Sequence, residues 1–176
     1  RRFESCRPDP YHFRMVPRYV SPLLVEPGSV FGFGTSPLYP SSPPETGRYG
    51  ALVVIGHDRD LIVVGVLDGV WTAMPSLDDV AGLALMRYKE RGSGKQPVAF
   101  AFDRKWTVDL RDLTPIGHTP LDAERQRIAA KYLGDNPMGR TFAPADMADS
   151  EVEGSWRREH DREAVEREQE EDRVRR

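Results

Sequence analysis

Ala51-Leu52-Val53-Val54-Ile55 and Leu61-Ile62-Val63-Val64-Gly65-Val66-Leu67 are the most apolar runs of the chain, and His57-Asp58-Arg59-Asp60 lies between them. Their β-branched side chains suit a pleated backbone, and the polar residues between them suit a turn. The pair predicts a β-hairpin, and the fold is expected to be built around it.

Outward from the hairpin, the punctuation is glycine and proline. Gly28-Ser29-Val30-Phe31-Gly32-Phe33-Gly34 reads as a first strand whose glycines mark a bend or a close backbone approach. A phosphate loop would need a Lys-Ser/Thr and a following helix, whereas Pro37, Pro40, Pro43 and Pro44 follow. The stretch 37–47 is therefore expected to be a projecting loop. Ser76, with Asp79 three residues on, reads as a capped helix start of one or two turns ending near Gly82. The stretch 83–88 leans towards strand. Val98–Phe102 and Trp106–Leu110 alternate as strands do, and 113–117 reads as a short edge strand because Pro115 is tolerated there. Leu121 to Leu133 has helical spacing, starting at Thr119 or Pro120 and ending at Gly134.

The ends differ from this middle. Residues 1–19 hold five Arg against Glu4 and Asp9, and residues 150–176 hold seven Arg against ten acids. Residues 20–135 are close to neutral, with 12 basic and 14 acidic residues. The terminal stretch keeps no heptad, so it is expected to be a solvated helix or disordered, and its removal is expected to leave the domain folded. The division expected is an irregular Pro/Arg-rich leader 1–24, a β-rich domain 25–135, a linker 136–150 and a charged tail 151–176. The fold class expected is mainly β (α+β): five to seven short strands in a bent antiparallel sheet or small open barrel, with one or two short helices.

Several partners are disfavoured by composition. The near-neutral middle lacks the basic footprint of a nucleic-acid binder. No run reaches the ~18–20 apolar residues of a membrane-spanning helix. Cys6 is the single cysteine, so no disulfide forms within the chain, and a cytoplasmic setting is expected. The first residue is not Met, and Met15 is a conceivable start.

Catalytic signals are thin. His57, Asp58 and Asp60 share the hairpin turn, where backbone reasons alone favour such residues, and no nearby second histidine completes a metal site. His118 precedes Asp122 and Glu124, an arrangement that a helix entry explains equally well. Ser29, Ser76 and Ser93 lack the glycines of a nucleophile elbow. No catalytic residue, metal or cofactor is therefore assigned. The residues expected to serve a function are aromatic: Tyr49, Trp71 and Trp106, with Asp68 beside Trp71, as anchors for a protein partner. The alternative is a small-barrel enzyme or RNA-binding module of endoribonuclease type using His57 or His118.

The order Gly28-Ser29-Val30-Phe31, Gly47-Arg48-Tyr49-Gly50, Leu67-Asp68-Gly69-Val70-Trp71 and Pro75-Ser76-Leu77-Asp78-Asp79-Val80 resembles the Imm26-type bacterial immunity proteins over about residues 25–120. The match departs at Ser29, where that family usually has an acid, and in the Pro-rich insertion 37–46. The resemblance implies a small β-rich cytoplasmic protein that binds and neutralises a toxin domain without catalysis.

Overall fold

The computed structural model describes residues 25–88, 96–104, 113–134 and 144–175. Five antiparallel strands form one open sheet: β1 (Ser29–Gly34), β2 (Tyr49–His57), β3 (Leu61–Val66), β4 (Ala99–Asp103) and β5 (Thr114–His118), in the spatial order β4-β3-β2-β1-β5. The hairpin is its centre. Val54 of β2 pairs with Val64 of β3, and both strands are buried almost throughout. Asp58 shapes the turn, its Oδ1 accepting from the amides of Asp60 and Leu61 at 2.7 Å each. The turn residues thus work for the backbone.

Both sheet faces are covered, which is why these strands read as continuous apolar runs. One face presents Phe31, Phe33, Leu52, Val54, Ile62, Val64, Phe100 and Phe102. Against it packs α3 (Pro144–His160), through Ala148 and Val152. The opposite face presents Val30, Ala51, Val53, Ile55, Val63 and Ala101 and is covered over β2, β3 and β4 by α2 (Ala123–Leu133), through Ile128, Ala129 and Tyr132. A bulge at Ile55 shifts the β2–β3 register and brings Gly56 under Ala129 of α2.

The mainly β α+β fold with an antiparallel open sheet holds, and so does the short helix after Pro75, α1 (Leu77–Val80) with its Ser76–Asp79 capping box. The helix at 121–133 begins later than Thr119 or Pro120. Asp122 is the cap, its carboxylate accepting from the Arg125 amide at 2.8 Å. The stretch 83–88 makes only isolated bridges, at Leu85 and Arg87.

The largest difference lies at the C-terminal end. The boundary drawn at residue 150, between linker and tail, falls inside α3, and α4 (Arg162–Arg175) follows after a break at Asp161. Val152 is fully buried and Glu153 is 1% exposed, so this half of α3 is core rather than solvated tail. An apolar stripe of Ala148 and Val152, one helical turn apart, spans the drawn boundary. The leader 1–24, residues 136–143 of the linker and the strand expected at Trp106–Leu110 lie outside the described residues.

Candidate functional site

Where α2 leaves the sheet uncovered, over β1 and β5, the segment after β3 takes its place. Tyr49 and Trp71 exchange backbone hydrogen bonds, with Tyr49 N donating to Trp71 O at 2.8 Å and Trp71 N to Tyr49 O at 3.0 Å. Trp71 is half-buried, and its indole lies so close to Gly69 that a Cβ there would sit 2.4 Å from Cη2. The ring is therefore folded back on its own backbone and held.

Further along, Met74 and Leu77 are the exposed counterparts, at 38% and 37%. Each rests on a glycine of the sheet. A Cβ on Gly32 of β1 would meet the Met74 sulfur at 2.4 Å, and one on Gly117 of β5 would meet the Leu77 side chain at 3.2 Å. Gly34 pairs with Tyr49, and Val30 pairs with Gly117, so the segment runs along β1 from one level to the other. Four residues of strand set the length of this apolar strip at roughly 13 Å.

The segment that carries the strip is itself acidic. From Leu61 to Met86 the chain has Asp68, Asp78 and Asp79 and no Lys, Arg or His. Asp79 is occupied in the capping box, where the Ser76 hydroxyl and amide hold its carboxyl below its usual range. Asp68 and Asp78 are exposed, and their carboxylates have no ionic or hydrogen-bond partner among the described residues. Of the expected anchors, the structure thus brings together Tyr49, Asp68 and Trp71, while Trp106 lies outside the described residues. Met74 and Leu77 escaped the sequence reading because an exposed Met or Leu leaves no periodic signature in a loop.

Among the described residues, His57 and His118 share no hydrogen bond and no common acid. His57 closes β2 at the hairpin end, and His118 Nε2 lies 2.9 Å from the Pro27 carbonyl, on β5. Among the described residues, no group of three His, Cys, Asp or Glu side chains is placed to hold a metal, and no helix is long and apolar enough to cross a membrane.

A second cluster joins the β1–β2 loop to α3 and α4. Arg48 forks onto Glu153, donating from Nε at 2.9 Å and from Nη2, and Thr35 Oγ1 donates to the same carboxylate at 2.8 Å. The Arg48 guanidinium lies 4.0 Å above the Trp156 ring, a cation–π contact. Beside it, Arg157 donates from Nη1 and Nη2 to Glu168 at 2.6 and 2.9 Å and from Nη1 to the Ser42 hydroxyl at 3.1 Å. The arginine raises its own pKa through this pairing and holds that of Glu168 down, against the opposing effect of burial. Asp149 is shifted the other way, because burial disfavours its charge even though it accepts from the Ser36 amide at 2.7 Å. A half-open cavity of about 170 Å³ adjoins these groups, lined among others by Ser42, Thr46, Arg48, Trp156 and Arg157. None of this was visible in the sequence, where Arg48 and Glu153 lie 105 residues apart and Arg157 and Glu168, 11 apart, read as ordinary surface charges.

No protein-family model, curated protein or solved structure matches the chain.

Proposed function

We propose that this chain is a non-catalytic, cytoplasmic protein-binding domain that neutralises a partner, in the manner of a bacterial immunity protein acting on a toxin domain. The observation that supports the reading is the strip of Trp71, Met74 and Leu77, each seated on a glycine and flanked by the exposed carboxylates of Asp68 and Asp78. Exposed apolar side chains beside an aromatic anchor supply contact area, and pre-set side chains lose little freedom on binding. The acids favour a basic partner surface and speed its approach. Carboxylates at the strip disfavour a nucleic-acid phosphate backbone there, which supports a protein as the partner.

Affinity capture from the native host with the wild-type chain and with the Leu77→Asp variant tests the reading. A toxin-domain protein with a basic contact surface is expected on the wild type and absent from the variant. Equal capture by both forms would refute the assignment.

A further inference from the structure

Arg157 is a buried cation, with 4% of its side chain exposed, and its bidentate counter-ion comes from a lightly anchored helix. Glu168 sits on α4, whose other buried residues are only Ala164 and Val165. The remaining neighbours of that guanidinium are neutral or exposed: the Ser42 hydroxyl at 3.1 Å and Asp161, which is 50% exposed, at 3.3 Å. Ser42 itself donates to Glu168 Oε2 and accepts from the Tyr39 amide at 3.2 Å. By contrast the second arginine, Arg48, is paired with Glu153 of α3, which is fixed in the core.

We propose that Arg157 and Ser42 form an oxyanion-binding site, that Glu168 is its internal occupant, and that α4 is the strap that keeps it occupied. The ligand class is a phosphate group, free or as a small monoester. A guanidinium fork with an adjacent hydroxyl suits phosphate as well as carboxylate. The adjoining cavity of about 170 Å³ is far larger than the roughly 10–15 Å³ that one water occupies, so a phosphate has room beside the carboxylate it replaces. Arg48 lines the same cavity beside Glu45, Glu153 and Asp161, with its guanidinium held by Glu153. When the anion takes Arg157, Glu168 is left next to like charge, and α4 loses its ion pair to α3 and its hydrogen bond to Ser42 of the β1–β2 loop.

Hydrogen exchange of the full chain tests this, comparing sodium phosphate with sodium chloride at equal ionic strength. Phosphate is expected to quicken exchange across 162–175 several-fold while the strands stay protected. Equal exchange in the two salts overturns the proposal. The Glu168→Gln variant gives an independent measure. Its melting temperature is expected to rise more in phosphate than that of the wild type, since an anion that binds only the folded state stabilises it. A rise no greater than that of the wild type counts against the proposal. O-phosphoserine in place of inorganic phosphate separates the sources: an effect of the ester alone assigns a phosphomonoester, and an effect of the free ion assigns phosphate itself.

Discussion

Glu153, in the middle of α3, and Arg48, at the head of β2, form a two-pronged ion pair whose carboxylate is 1% exposed. The pair ties the last third of the chain to the sheet, and the Trp156 ring completes the enclosure of the guanidinium. Burying both charges is tolerable only because each satisfies the other and Thr35 takes a remaining lone pair. Removing one partner strands the other. Arg48→Met is expected to destabilise the fold by about 3–5 kcal/mol in urea unfolding. The double variant Arg48→Met/Glu153→Met is expected to be more stable than Arg48→Met alone, because no uncompensated charge is left. Additive losses would show that the two residues act independently.

The same tie separates the roles of the two C-terminal helices. A chain ending at Asp161 is expected to keep a cooperative melt with a lower midpoint, since Arg157 then lacks Glu168. A chain ending at Ser150 is expected to lose the cooperative melt, because Val152 and Glu153 leave the core with it. Circular dichroism on both truncations decides the matter.

Acid acts on α4 through Glu168. Its folded-state pKa lies below the ordinary value of 4.5, chiefly because of the bond to Arg157, so its contribution is complete above that value and is lost as pH falls through the lower, folded one. Asp149 opposes this, since its raised pKa means that protonation relieves a buried charge. Hydrogen exchange is therefore expected to show 162–175 loosening below about pH 4.5 before the strands do. Simultaneous loosening of α4 and the sheet would contradict the assignment of Glu168 as the point of release.

The seat of α2 depends on a glycine in a strand. A Cβ on Gly56 would lie 2.7 Å from the Ala129 Cβ, which cannot swing aside without moving the helix, and 3.3 Å from Leu133 Cδ1. Gly56→Ala is expected to cost about 1–3 kcal/mol by thermal or urea unfolding. Ala129→Gly in the same chain is expected to restore part of that loss despite its own helix penalty of roughly 1 kcal/mol. No coupling between the two substitutions would show that the helix does not rest there.

The hairpin was readable because β2 and β3 lie between two covering layers, which imposes an unbroken apolar run on each. Capping at Ser76 and the edge position of Pro115 were readable because they are local backbone chemistry. The docking of α3 was not. Its buried residues include Ala148, Val152 and the ion-paired Glu153 and Arg157, and a charged residue inside the core looks from sequence like one facing solvent. The apolar strip was half legible. Asp68 and Trp71 stand together in sequence, but Met74 and Leu77 acquire their exposure from glycines on β1 and β5, more than 35 residues away in either direction.

Titration calorimetry of the captured partner against the wild-type chain, Trp71→Ala and Asp68→Lys is the most direct measurement. Loss of about 2 kcal/mol or more for Trp71→Ala, close to thirtyfold in Kd, is predicted, with a further weakening for Asp68→Lys that shrinks as salt is raised. Unchanged affinity in both variants would mean that the partner docks elsewhere and that the strip on β1 and β5 is not the working surface.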